Sequence, residues 1–194
     1  MAGDIRQRMI ERTAVLLAKK GLQGTSFSEV LEASGAPRGS LYHHFPGGKD
    51  ELVMAALGAT ADQMREALKG LSGAPAGEVA RAFGRVWRTI LERSDFAVGC
   101  AVVAITVAAE SPSMLNRAGE VFRSFGANLA KLLIDGGVAS ERSQALAAML
   151  ISGFEGAVVL ARAQRSFEQF DLVAAELYAI VDAAAEKRTK RRDR

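Results

Sequence analysis

The segment from Thr25 to Leu52, TSFSEVLEASGAPRGSLYHHFPGGKDEL, constrains the fold more than any other part of this 194-residue chain. Its punctuation leaves room only for short elements. Ser28 is a good N-cap for a helix over about 28–34, although residue 31 is Leu and not the Glu of a capping box. Gly35 supplies the positive φ that ends this helix in a sharp turn. Pro37 suits the first turn of a further helix ending near His44, because its missing N–H would be unpaired there. Pro46-Gly47-Gly48 breaks the chain again. Val30, Leu31, Leu41 and Phe45 face inward, which is enough to anchor two short helices to a small core.

Around this segment the pattern is helical. Met9, Ile10, Ala14, Leu17 and Ala18 recur at helical spacing, so a first helix runs from about Asp4 to Lys20. Arg6 and Arg8 fall on its outer faces and read as solvated. A long helix follows over about 49–70. SGAPAG at 72–77 is the one composition break that resembles a linker. Apolar, alanine-rich helices then occupy roughly 76–93, 96–110, 112–135, 140–165 and 169–187. No strand alternation and no internal repeat is visible. The expected fold is all-α, about nine helices. A three-helix unit at 1–48 precedes a larger bundle at 49–187, and 188–194 is expected to be a basic, disordered end.

Charge is local. From Glu186 the chain holds six basic and two acidic residues, while its formal net charge is +3, so the rest sits near −1. Nucleic-acid contact must come from a patch and not from the whole body. The first twenty residues are charged throughout and read as no secretory signal. No apolar run is read as long enough for a bilayer, Ala97–Ala109 being the longest candidate. Cys100 is alone, so no disulfide framework is possible and a reducing cytoplasm is expected.

The helix over 37–44 has the chemistry to read DNA. Arg38 can make paired bonds to guanine, Gly39 lets a backbone approach, and Ser40 is short and adaptable. Tyr42 and His43 can donate to phosphate. His44 either joins them or packs inward. Thr25 can donate its hydroxyl and N–H to the phosphate backbone. Lys49 opens a helix whose N-terminus also attracts phosphate. Adjacent histidines point about 100° apart on a helix, and with no further His or Cys nearby no metal site is expected.

These residues match a known pattern. LLAKKG, Thr25, SEVLEASG, RGSLYHHF and KDEL, over about residues 8–52, resemble the TetR/AcrR-type transcriptional regulators. With VGCAVVAI at 98–105, the chain is similar to the branch that includes LmrA and YxaF. Leu31 replaces the family's usual Ala, and Pro37 replaces a frequent Ser or Thr. The resemblance implies a helix-turn-helix unit, a homodimer on a double-stranded, near-palindromic DNA operator, and a small effector. It implies that Tyr42 contacts phosphate and that the last two helices form a four-helix dimer bundle.

The residues of 140–165 agree with such a bundle. Ala145, Ala148, Ser152, Gly156 and Val159 permit close approach, in a helix apolar on nearly every face. A central core helix within one chain is the alternative. Phe83, Trp87, Phe96, Cys100, Val103, Phe122, Phe125, Met149 and Phe154 are candidate lining for a hydrophobic, aromatic effector. Arg88, Thr106, Glu110, Glu155 and Arg162 are possible polar contacts, and nothing in the sequence chooses among them.

An enzyme is not expected. Gly47-Gly48-Lys49 lacks the upstream Gly and the following Ser or Thr of a phosphate loop. Both histidines belong to the DNA-reading segment, and no cofactor is called for. The expected function is a ligand-released repressor. An activator of the same fold, or a helical interaction protein with vestigial DNA binding, remains open.

Overall fold

A computed structural model describes the backbone of residues 2–192 and the side chains of residues 4–185. The expectation for 188–194 falls outside those side chains. Nine helices and no strand occur among the described residues: α1 Ala2–Lys20, α2 Phe27–Ser34, α3 Ser40–His44, α4 Gly48–Ala67, α5 Ala76–Arg93, α6 Ala101–Ala108, α7 Pro112–Asp135, α8 Ser140–Gln164 and α9 Glu168–Arg192. They form two compact units. One comprises residues up to Gln63 with Cys100–Phe122; the other comprises Met64–Gly99 with residues from Arg123 onward.

The first unit is built on Met9, Ile10, Val30, Leu41, Phe45 and Leu52, all buried, with Ile5, Leu16, Phe27, Leu31 and Ala36 partly buried around them. Each such side chain contributes roughly 1.5–3 kcal/mol by leaving water. α6 packs against α1. Arg8 Nε donates to the Ser34 carbonyl at 3.2 Å, tying α1 to the carbonyl end of α2. The Arg6 guanidinium lies 5.0 Å from the Phe45 ring centre. Neither arginine is merely solvated, as the sequence had suggested.

α2 is capped differently from the sequence expectation. Its N-cap is Ser26, not Ser28, and a complete capping box is present. The Glu29 N–H donates to Ser26 Oγ at 3.3 Å, and the Ser26 N–H donates to Glu29 Oε2 at 2.9 Å. Lys20 then bridges from α1 to Glu29 Oε1 at 2.5 Å. Gly35 ends α2 at φ 65°, and the Ala36 N–H returns to the Leu31 carbonyl at 3.1 Å. This is the paired closure that a left-handed residue after a helix makes possible.

The other boundary differences have local causes. Pro37–Gly39 form a turn, closed by Ser40 N–H to the Pro37 carbonyl at 3.0 Å, and α3 starts only at Ser40. α6 is Ala101–Ala108 and not 96–110, because Asp95 and Phe96 take φ of 49° and 60° and turn the chain sharply after α5.

In the second unit α5, α8 and α9 pack on one another. Phe154 is fully buried at their centre, with ring centres of Phe83 at 5.6 Å, Phe170 at 5.6 Å and Tyr178 at 6.0 Å. Close approach needs glycine at two points. A Cβ at Gly84 would stand 2.7 Å from the Phe154 ring, and one at Gly153 would stand 2.8 Å from Leu177. Arg162 donates to the carbonyls of Phe96 and Ala97 at 3.4 and 3.2 Å, holding the segment that follows α5.

α8 corrects one expectation. It contains an 18-residue window of mean hydropathy 1.6, long and apolar enough to cross a bilayer by length and composition alone. Its inward residues Leu146, Leu150, Phe154 and Val158 pack in the helical core, and it carries Glu155 at mid-length. One face of α8 is thus packed in the core of the second unit, as in a helix of a folded bundle.

Two outcomes are expected. Phe154→Ala should lower stability by about 3–5 kcal/mol in denaturant unfolding, since three rings lose their common neighbour. Glu29 is held at about 2, below its ordinary 4.5, first by the Lys20 hydrogen bond and then by the Ser26 N–H and hydroxyl. A lowered folded-state pKa stabilises the fold fully above the unfolded value, and that contribution is lost as pH falls from 4.5 toward 2. Thermal melts in that window should show Glu29→Gln with a flatter pH dependence than the parent protein. Parallel curves would remove this pairing from the account.

Candidate nucleic-acid interface

α3 has only five residues, and its orientation comes from Leu41 and Phe45, 2% and 0% exposed. Helical geometry turns His43 away from both of them. Arg38, Gly39, Tyr42 and His43 are exposed, while Ser40 and His44 are half-buried. The structure therefore brings six of the eight sequence-chosen residues onto one short segment at the surface.

Their chemistry is uneven. Arg38 has no hydrogen-bond or ion-pair partner among the described residues, so its five donors are available. A Cβ added at Gly39 would meet nothing within 4 Å, so the backbone is open to close approach. Ser40 Oγ donates to the Pro37 carbonyl at 2.6 Å and steadies the turn that carries Arg38. Tyr42 is 67% exposed and sets its ring edge against Phe27, with ring centres 6.1 Å apart. His43 and His44 meet edge to face at 5.0 Å. No group of three His, Cys, Asp or Glu able to hold a metal occurs among the described residues.

Two residues do other work than expected. Thr25 is 2% exposed; its hydroxyl donates to the Gly21 carbonyl at 2.8 Å and its N–H to the Leu22 carbonyl at 3.4 Å. Both donors are engaged inside the chain, so they do not present themselves to phosphate. Lys49 Nζ donates to the Leu22 carbonyl at 2.9 Å and ties the start of α4 to the loop after α1. Sequence reasoning missed the Ser26–Glu29 cap with its Lys20 bridge. Its signal was Ser-x-x-Glu at 26–29, two residues upstream of the chosen cap.

The candidate effector residues fall in both units. Cys100, Val103 and Phe122 belong to the first; Phe83, Trp87, Phe96, Phe125, Met149 and Phe154 belong to the second. Within the second unit Phe83 and Phe154 join the packed aromatic cluster. Phe96 instead lies against Phe167 at 4.8 Å. Trp87 is 4% exposed, and its Nε1 has no hydrogen-bond partner. The candidate polar contacts Arg88, Thr106 and Arg162 all have partners within the chain.

The five candidate interface residues on α8 are all exposed: Ala145, Ala148, Ser152, Gly156 and Val159. Their spacing of three and four residues makes one continuous stripe. It lies opposite the inward stripe of Leu146, Leu150, Phe154 and Val158. On α9, Leu172 and Ile180 are also exposed, at 59% and 37%.

Comparison with known proteins agrees with this architecture. Residues 9–56 match the model described as bacterial regulatory proteins, tetR family. Residues 76–176 match the model for the C-terminal domain of LmrA/YxaF-like transcriptional regulators. The chain is 32% identical over 192 residues to the HTH-type transcriptional regulator Rv0196 of Mycobacterium tuberculosis, covering 95% of this chain and 98% of that protein. It is 27% identical to the HTH-type regulator YxaF of Bacillus subtilis, with 92% and 96% covered. A TetR transcriptional regulator from Legionella pneumophila shares the fold, with a TM-score of 0.79 at 24% identity over 89% of this chain and 94% of that one. A helix-turn-helix joined to an LmrA/YxaF-like helical domain makes this chain a DNA-binding transcriptional regulator of the TetR family, a non-enzymatic class.

Proposed function

We propose that the protein is a homodimeric repressor that leaves its operator when a small hydrophobic effector binds. The observation that carries the reading is the exposed stripe on α8. Ala145, Ala148, Ser152, Gly156 and Val159 place small and apolar groups in solvent along four turns. A Cβ at Gly156 would meet nothing within 4 Å, so a second helix can approach to backbone distance there. Two copies would cover each other's α8 and α9 stripes as a four-helix bundle.

Dimerisation also answers a problem of affinity. One α3 offers few base and phosphate contacts. Two copies would address half-sites about 34–36 Å apart on a near-palindrome. Within each half-site Arg38 is the base reader, Gly39 and Ser40 allow approach, and Tyr42 and His43 serve phosphates. Lys49 acts chiefly as a tie that positions this surface.

Release requires an effector that binds one state better than the other. The aromatic residues of the second unit are the region we assign to it, with Trp87 offering an unpartnered N–H. α4 and α7 each have residues in both units, so they are the covalent routes by which such a preference reaches α3.

The test is fluorescence anisotropy with DNA flanking the protein's own gene, across a salt series, with ultracentrifugation beside it. Arg38→Ala should cost about 1–3 kcal/mol per half-site and relax base preference. Unchanged affinity and specificity would remove Arg38 as a base reader. Val159→Glu would bury an unpaired charge in the bundle at a cost of about 3–5 kcal/mol. It should therefore give monomers and weaken operator binding. A dimer that survives this substitution would place the interface elsewhere.

A further inference from the structure

Arg81, Arg85 and Arg88 recur along α5 at intervals of four and three residues, so they stand over one face. α9 faces them with Asp171, Ala174 and Tyr178, and the two helices bound a groove of about 360 Å³. Its floor is apolar, made by Gly84, Phe170, Ala174 and the Tyr178 ring. Gly84 is needed there, because a Cβ would stand 2.1 Å from the Tyr178 hydroxyl oxygen.

The donors of this groove are unequally satisfied. Arg81 is gripped by both oxygens of Asp182, at 3.2 and 2.5 Å. Arg88 reaches Asp171 at 3.1 Å and lies 4.2 Å from the centre of the Phe167 ring, yet its Nη1 is buried without an acceptor. Arg85 is exposed and has no hydrogen-bond or ion-pair partner among the described residues. The Tyr178 hydroxyl has no hydrogen-bond partner among them either. Burial raises its pKa above the ordinary value while the three arginines oppose that rise, so at neutral pH it remains a protonated donor. Arg85 and the Tyr178 hydroxyl are therefore two donors of this groove that no acceptor among the described residues answers, while Arg88 Nη1 is buried behind it.

We propose that the α5–α9 groove binds a small organic monocarboxylate with a flat apolar body. A guanidinium matches a carboxylate with two parallel hydrogen bonds, and Arg85 is free to make them. The Tyr178 hydroxyl supplies a further donor. The anion is singly charged because Asp171 and Asp182 already answer two of the three arginines. Glu92 pairs with Arg88 as well, so Arg85 is the one arginine of the three left for a ligand, and a second negative charge would go unanswered. The body is apolar and flat because it lies between helix faces on alanine, glycine and ring surface. The volume falls in the range of small-molecule sites, ~300–1,000 Å³. The groove lies on the outer side of the Phe83–Phe154 cluster and shares Phe170 and Tyr178 with it.

The test is isothermal titration of the full-length protein with sodium benzoate. Benzyl alcohol and inorganic phosphate serve as comparators at constant ionic strength. Benzoate should saturate at one per chain, and neither comparator should. Arg85→Ala should weaken benzoate by roughly tenfold or more, Arg85→Lys by less, and Tyr178→Phe severalfold, the order expected when a charged fork outweighs a neutral hydroxyl. Arg85 has no partner to lose, so Arg85→Ala should keep the parent melting temperature. Absence of saturable benzoate binding would overturn the proposal, as would unchanged binding by Arg85→Ala and Tyr178→Phe. Equal binding of benzyl alcohol would make the groove a simple apolar cleft. Phosphate binding that is lost in Arg85→Ala would overturn the monocarboxylate class.

Discussion

Burial of Leu41 and Phe45 is the constraint on which the proposed DNA-reading surface depends. An isolated helix of five residues has no stability of its own, because the nucleus costs more than so few hydrogen bonds return. α3 is a helix because Leu41 within it and Phe45 at its C-terminal end are inserted among Met9, Ile10, Val30 and Leu52. Arg38, Gly39, Tyr42 and His43 inherit their positions from that insertion. The turn that feeds them is fixed separately. Gly35 at φ 65° closes α2, and Ser40 closes on Pro37 with both its N–H and its hydroxyl. The proposed reading residues are thus held by packing from below and by hydrogen bonds from the N-terminal side. None of them need contribute to stability, which leaves their side chains open.

The same unit shows how polar side chains divide into those that hold and those that face out. Thr25, Lys49 and Arg8 all donate to backbone carbonyls, of Gly21, Leu22 and Ser34. Each carbonyl lies at or near the end of a helix, where acceptors lack intrahelical partners. Residue type alone does not separate these roles. A threonine, a lysine and an arginine are equally good phosphate donors until the fold decides which carbonyls lie within reach.

That explains what was legible in the sequence. The long helices α5, α7 and α8 were readable because apolar periodicity over many turns leaves little choice of element or face. The stripe at Ala145, Ala148, Ser152, Gly156 and Val159 was readable as a set. What one chain leaves uncovered there was not. Gly153 and Gly156 lie three residues apart on α8, yet a Cβ at one would collide with Leu177 and a Cβ at the other would meet nothing. The cap of α2 was missed because Ser26 and Ser28 are both good caps, and only the partner Glu29 distinguishes them. The start of α6 was missed because Asp95 and Phe96 adopt left-handed conformations that non-glycine residues rarely take. Tertiary ties from Arg162 to Phe96 and Ala97 and from Arg165 to Asp95 accompany that bend, and they come from residues more than sixty positions away.

Charge placement in the second unit follows a different logic from that in the first. In the first unit Arg38 is unpaired on an exposed turn, where water solvates it at little cost and DNA phosphate or base can replace the water. On α5 the arginines sit against a partner helix. Arg81 and Arg88 are answered by aspartates on α9, and the ring faces of Tyr178 and Phe167 lie beneath their guanidinium groups. Each of these pairs joins two helices, so it fixes their register as well as adding Coulomb energy. Partial exposure keeps each pair weak. Gly77 supports this reading: a Cβ there would stand 1.9 Å from Asp182 and would drive the fork away from Arg81. A helix pair that gives up a side chain to keep one ion pair is set for orientation more than for burial. Arg85 breaks the pattern, being the arginine of this face without an acidic partner among the described residues.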